Sequence, residues 1–171
     1  MDEARIGLQP IRHKTWAPLG VRPTVEVAPK YEWRYVYSAV QPLTGKTYTL
    51  ILPSVNTDMM QIWLDSFAAS RPRNTTSLVV LDGAGWHTTS KLTVHRNIET
   101  IALPPYSPEL NPAERLWTLM RRCLANRYFA SLNELDEAII NAVRNWIRDT
   151  GALASLTSYQ WIRKVNRLIQ N

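Results

Sequence analysis

Apolar and polar positions alternate from the first residues of the chain. Ala4, Ile6 and Leu8 are separated by polar neighbours, the period-2 pattern of a strand with one buried face. Pro10, Pro18 and Pro23 then break the chain around a basic stretch containing Arg12, His13, Lys14 and Arg22. Tyr31 to Val40 is rich in β-formers, and Thr47 to Leu52 continues after a turn at Gly45, which predicts a hairpin. Asn56 or Thr57 is placed to cap a helix whose apolar side holds Met59, Met60, Ile62, Trp63 and Phe67. Leu78 to Leu81 is a continuous apolar run ending at Asp82, the pattern of a strand covered on both faces. Ile98 to Leu103 predicts a further strand, closed by Pro104 and Pro105.

The last third reads as helices. Asn111-Pro112-Ala113-Glu114 opens one with proline in the first turn, and Leu116, Leu119, Met120, Cys123 and Leu124 form its apolar stripe. Ser131 with Glu134 predicts a capping box for the next, whose buried face is Leu135, Ile139, Ala142, Val143 and Trp146. A final helix carries Trp161, Ile162, Val165, Leu168 and Ile169 on one side and Arg163, Arg167 and Gln170 on the other. The whole is a mixed α/β pattern, antiparallel at its start and parallel in its continuation.

The 171 residues suit one domain with a helical extension, and a 45% hydrophobic, 20% charged composition is that of a globular chain. No apolar run approaches the roughly 20 residues of a membrane span and no charged-then-apolar leader opens the chain, so membrane and secretory readings fall. The single cysteine, Cys123, excludes an intrachain disulfide framework and fits a reducing cytoplasm. With three scattered histidines it does not make a structural zinc site. The net charge is +6, and 15 of the 20 basic residues are arginine, the side chain whose fork matches phosphate. Before Asn111 the net is +2 and from Asn111 onward +4, so a polyanionic partner and simple solubility both fit.

Three acids stand out. Asp82 ends an apolar strand, at the sheet edge where α/β folds bind ligands, and Gly83-Ala84-Gly85 leaves room beside it; Asp-Gly is equally a turn dipeptide. Glu114 fits a capping box with Asn111, yet it shares a helical face with Trp117, Thr118 and Arg121 rather than with the apolar stripe. Asp2 is in phase with Ala4, Ile6 and Leu8, while Glu3 points the other way; a carboxylate in that phase needs a partner or a metal unless the terminus frays. Three carboxylates without sulfur or clustered imidazole select hard cations, Mg²⁺ or Mn²⁺, and two such ions can clamp a phosphodiester for in-line displacement.

The wording around these acids is distinctive. Leu81-Asp82-Gly83-Ala84-Gly85-Trp86-His87 and the run from Leu103-Pro104-Pro105-Tyr106-Ser107-Pro108 through Leu110-Asn111-Pro112-Ala113-Glu114-Arg115-Leu116-Trp117 closely resemble the catalytic core of DDE transposases, of the bacterial insertion-sequence type related to the mariner superfamily. Asp2-Glu3-Ala4-Arg5-Ile6-Gly7 resembles the segment carrying that family's first acid, and the resemblance covers about residues 2 to 147. It implies an α/β, RNase H-like fold: a mixed five-stranded sheet flanked by helices. Residues 1–148 would be the catalytic domain, its first strand truncated, and 149–171 a basic helical C-terminal extension. It implies that Asp2, Asp82 and Glu114 are the catalytic acids and hold two Mg²⁺ ions, with Mn²⁺ as a substitute. It implies cleavage at terminal inverted repeats and attack of the exposed 3′-hydroxyl on target DNA, favouring TA sites. His87 matches a family position beside the second acid.

Around this core, Arg115, Arg121 and Arg122 are expected to contact DNA, with Trp86 stacking on it and His87 touching it or orienting a ligand; a solvated helix face and ordinary packing are the plainer readings of the same residues. Trp63, Trp117 and Trp146 fall on apolar helical faces and are expected in the core. The expected partners are DNA and either a second copy or a separately encoded helix-turn-helix half, since none precedes the core here, and the expected place is the nucleoid in the cytoplasm. The alternative is a truncated remnant that binds DNA or a transposase partner without cutting.

Overall fold

Strand β1 (Asp2–Gly7) pairs antiparallel with β2 (Trp33–Gln41), Asp2 opposite Ser38, and β2 pairs antiparallel with β3 (Lys46–Leu52). The computed structural model describes residues 1–28 and 30–170. Helix α1 (Thr57–Ala69) begins at Asn56, whose side-chain oxygen accepts the Met59 N–H at 2.9 Å, the cap its sequence predicts. Strands β4 (Ser77–Leu81) and β5 (Ile98–Ala102) pair in parallel, and the one-turn helix α2 (Gly85–Thr88) lies between them in the chain. A 3-10 turn, Pro108–Leu110, leads into α3 (Glu114–Leu124), followed by α4 (Leu132–Arg148), α5 (Thr150–Thr157) and α6 (Gln160–Gln170). No helix among the described residues is long and apolar enough to cross a membrane.

Among the described residues five strands are present, but ladder bonding divides them into a three-stranded sheet, β1–β2–β3, and the parallel pair β4–β5, in place of the single sheet expected. Between β1 and β4 the Met1 nitrogen donates to the Val80 carbonyl at 2.8 Å, and a single bond is not a ladder. Strand β1 also separates two apolar cores. Ala4, Ile6 and Leu8 pack with Leu116, Trp117 and Met120 of α3 and Leu135, Ile139 and Trp146 of α4. On the other side Met1 and Tyr37 pack with Met60, Trp63 and Phe67 of α1 and with Val79, Leu81 and Ile98. Trp63 and Phe67 stack at 4.8 Å between ring centroids and Tyr48 meets both edge-on. Trp63, Trp117 and Trp146 are all buried, as their helical phase predicts.

Helix α4 opens on the predicted box: Ser131 Oγ accepts the Glu134 N–H, while Glu134 Oε2 reaches back to the Ala130 N–H. Other expectations are corrected by tertiary packing. Leu78 is 56% exposed, so β4 is covered fully on one face only. Cys123 lies outside the α3 stripe, because burial of Trp117 rolls the helix toward Leu116, Met120 and Leu124. Asn111 does not close a capping box on Glu114; its side-chain oxygen accepts the Ala113 N–H at 3.1 Å. Trp161 and Val165 of α6 remain partly exposed, and the side chains of Leu168, Ile169 and Gln170 lie outside those described.

Helix α5 follows α4 after the single residue Asp149. Leu153 of α5 enters the first core, and Thr157 Oγ1 donates to the Pro42 carbonyl in the β2–β3 turn. At that turn Gly45 holds φ +69°, and a Cβ there would stand 1.9 Å from the Thr150 carbonyl oxygen. Gly20 has a similar φ of +83° but open space around it. Gly20→Ala is therefore expected to cost about 1 kcal/mol, the backbone term alone, and Gly45→Ala roughly 3 kcal/mol or more, from backbone and clash together. Urea unfolding of the two variants beside the parent checks the difference.

Candidate active site

Met1 is clasped from both sides. Its nitrogen donates to Val80 O near the end of β4, and its carbonyl accepts from Asn111 Nδ2 at 3.4 Å, just before α3. Asp82 follows Val80 by two residues and Glu114 follows Asn111 by three. The acids picked out by spacing thus come from three elements, β1, the end of β4 and the first turn of α3, to one edge of the fold.

Asp2 is 9% exposed and on the face of Ala4 and Ile6, as its phase predicts. Its partner is Trp117: the indole Nε1–H donates to Asp2 Oδ2 at 2.7 Å, and the Glu3 N–H donates to Oδ1 at 2.9 Å. Burial pushes the Asp2 carboxyl up to about 6; the Trp117 hydrogen bond opposes the rise and the nearby Glu114 charge adds to it.

Asp82 lies just past β4 with its side chain about half exposed. Its Oδ1 accepts the Ala84 N–H at 3.1 Å, an Asx turn, so the turn and the ligand readings of Asp-Gly hold together. The same oxygen accepts from His87 Nδ1 at 2.7 Å. A Cβ built at Gly83 or Gly85 meets no atom within 4 Å, so the space beside Asp82 is open. His87, read as touching DNA or orienting a ligand, is enclosed with a side chain 1% exposed, and its Nε2 donates to Glu3 Oε1 at 2.8 Å. Burial works against a charged ring, but the hydrogen bond and charge of Glu3, together with Asp82, outweigh it and raise the His87 pKa. Glu3 is the residue that spacing passed over: it faces away from Asp2, as alternation requires, and its partner lies 84 residues away.

The basic and aromatic candidates are spread more widely. Arg115, Arg121 and Arg122 are all exposed on α3. Arg115 Nε donates to the Tyr159 hydroxyl at 3.1 Å, which ties it to the α5–α6 link. Arg121 lines a groove of about 260 Å³ with Arg5, Trp33 and Trp117, running along β1 from the level of Ala4. Trp86, expected to stack on DNA, packs against the second core and meets His87 edge-on at 5.8 Å.

The donor set suits a hard cation. The three acids offer only carboxylate oxygens, and neither Asp82 Oδ2 nor the Glu114 carboxylate has a hydrogen-bond donor among the described residues. Among those residues no three acid, imidazole or thiol groups stand close enough to hold one ion together.

A carboxyl with a folded pKa above its unfolded value binds a proton more tightly when folded. Its share of stability is therefore intact below about pH 4 and is lost as pH rises through about 6. The metal-free protein is expected to lose on the order of 2 kcal/mol relative to Asp2→Asn between pH 4 and 7.5. Parallel denaturation series of both proteins in chelator check this; equal slopes would contradict it.

Comparison with known proteins places this geometry. Residues 1–136 match the family described as DDE superfamily endonuclease. The uncharacterized protein y4pE/y4sA of Sinorhizobium fredii is 40% identical over 115 residues, which are 67% of this chain and 83% of that protein. Crystal structures of the mariner Mos1 paired end complex with Mn and with Mg share the fold at TM-scores of 0.58 and 0.56, with 18% and 20% identity over 90% and 89% of this chain. The Mos1 strand transfer complex matches at 0.54, with 19% identity over 92%. This chain spans about half the length of those Mos1 chains, 53% to 54%. The likeness shows the RNase H-like fold, with its helices packed on mixed strands. The chain belongs to the DDE superfamily endonucleases.

Proposed function

We propose that this chain is the catalytic domain of a metal-dependent DNA transposase that cuts phosphodiesters at element ends and joins the 3′-hydroxyl to target DNA. The observation that carries this reading is the clasp on Met1, which draws the start of β1, the end of β4 and the first turn of α3 together. Asp2, Asp82 and Glu114 are the residues that would hold Mg²⁺, as two ions, with Mn²⁺ as a substitute. Bound there, the ions would supply Lewis-acid activation of the attacking hydroxyl and neutralise charge at the phosphate. Burial, the main cause of the raised Asp2 pKa, disfavours its charged form, and a cation held beside it would offset that cost.

The chain's own residues then have separable tasks. Asp82 keeps one oxygen for its protein donors and leaves the other open. Arg5 and Arg121 flank the groove along β1 and offer charge to a phosphate backbone, with Trp33 beside them as an apolar wall. Arg115 and Arg122 extend the basic surface on α3. The proposed partners are terminal inverted repeats and target DNA, read with the help of a second copy or a separately encoded helix-turn-helix half, in the nucleoid. The Mos1 neighbours, which include a paired-end complex with the left transposon end, support a DNA partner.

An inverted-repeat duplex incubated with the protein and Mg²⁺ is expected to be nicked, and Glu114→Gln to lower the rate roughly 100-fold or more. Equal behaviour of the folded wild type and Glu114→Gln would put the non-cleaving remnant in its place. Affinity for the same duplex should fall steeply with salt, by about 0.9 log units per log unit of salt for each phosphate neutralised, and Arg121→Gln should flatten that slope by about one phosphate. A salt-independent affinity, from filter binding across a salt series, would contradict the basic groove.

A further inference from the structure

Among the described residues, two hydrogen bonds cross from the first two residues of β1 and its lead-in to the β4–α2 segment. One is Met1 N to Val80 O; the other is His87 Nε2 to Glu3 Oε1 at 2.8 Å. The second does not stop at the ring. His87 Nδ1 lies 2.7 Å from Asp82 Oδ1, so an unbroken chain runs from a carboxylate on β1, through one imidazole, to a carboxylate just past β4. Its inner members are sealed, with side chains of His87 and Glu3 exposed by 1% and 7%, while Asp82 is 53% exposed. Trp86 walls the ring on one side. Asp82 Oδ1 therefore has two donors and Oδ2 has none among the described residues.

We propose that Glu3 and His87 act as a splint that sets the Asp82 carboxylate in place relative to Asp2 across the gap between the two sheets. Both are positioning residues, not catalytic ones, and the proposal rests on the reading of Asp2, Asp82 and Glu114 as metal-holding acids. The physical need is plain. Strands β1 and β4 share no ladder, so their relative position is not set by repeated backbone bonds. A half-exposed aspartate on a loop has several rotamers open to it, and a ring donor held from behind removes that freedom. The two acids of β1 divide the work by alternation: Asp2 faces the first core and α3, Glu3 faces the second core and α2. A shift of β1 therefore moves Asp2 and, through the ring, Asp82 together.

Simple mechanical glue would use the same bonds, so the test separates position from stability. His87→Gln places an amide near the former Nε2 and keeps the Glu3 contact; His87→Asn places one near Nδ1 and keeps the Asp82 contact. Both substitutes are neutral and both lose the ring, so their difference reports geometry. Mn²⁺ titrations of the full chain, read by the spectrum of free Mn²⁺ below each variant's melting temperature, are the measurement. Binding is expected to weaken roughly 10-fold or more in Glu3→Ala and His87→Gln and by less in His87→Asn. The double variant Glu3→Ala/His87→Gln should bind no worse than His87→Gln alone.

Wild-type Mn²⁺ affinity in all the folded variants, tighter binding in both His87 variants, or additive losses in the double variant would each overturn the splint. Should Glu3→Ala fail to fold, the order of the two His87 variants decides. Asp82→Asn and Glu114→Gln distinguish the two levels. If they too bind Mn²⁺ as the wild type does, the metal reading itself fails. If they lose it and the splint variants keep it, only the splint fails.

Discussion

A carboxylate buried at the first position of a strand survives only with a donor aimed at it, and the Trp117 indole at 2.7 Å from Asp2 Oδ2 is that donor. The bond does more than satisfy Asp2. Trp117 lies three residues after Glu114, nearly one helical turn, so seating the indole on β1 also fixes which way the first turn of α3 faces. The roll of the helix that buries Trp117 brings Leu116, Met120 and Leu124 onto the first core and leaves Cys123 in solvent. Asn111 completes the attachment, with its amide toward the Met1 carbonyl and its oxygen on the Ala113 N–H. The capping role that spacing gives to Asn111 and Glu114 is thus exchanged for one that leaves the Glu114 carboxylate free.

The second constraint is the period of the strand itself. With Asp2 directed to one core, Glu3 must face the other, and a slip of one residue would exchange them. The register Asp2 opposite Ser38 and Glu3 opposite Tyr37 is held by the apolar phase of Ala4, Ile6 and Leu8. Adjacent acids on opposite faces give β1 two handles, one on α3 and one on α2. That is why three short segments far apart in sequence meet at one edge although the sheet between them is divided.

What was legible in the sequence is what local pattern controls. The hairpin, the Asn56 cap, the box at Ser131 and the buried phase of Asp2 all follow from neighbours within a few residues. What was not legible depends on what comes to lie alongside. A continuous apolar run read as a strand covered on both faces, yet Leu78 faces an open groove whose far wall includes Trp161 and Val165 of α6. Helix α5 is short, with Gly151 and two alanines, and earns its place by docking on Gly45 rather than by periodicity. Position marked out His87, but its two carboxylate partners, one of them 84 residues away, decided that it faces inward. Glu3 carried no signal of its own beyond sitting next to Asp2.

These features make the site an electrostatically uncomfortable part of an otherwise well-packed domain. Asp2 is held where its charged form is disfavoured, and Glu114 nearby makes that worse. The energy that keeps the acids there comes from elsewhere: from Trp63, Phe67 and Tyr48 on one side of β1 and from α3 and α4 on the other, where burial of large apolar side chains outweighs one or two unfavourable charges. Burial is the main cause of the raised Asp2 carboxyl and the Glu114 charge adds to it, whereas Asp82 stays half exposed with its Oδ2 free of donors among the described residues. The apolar cores on both sides of β1 are what allow the fold to bear a buried carboxylate there.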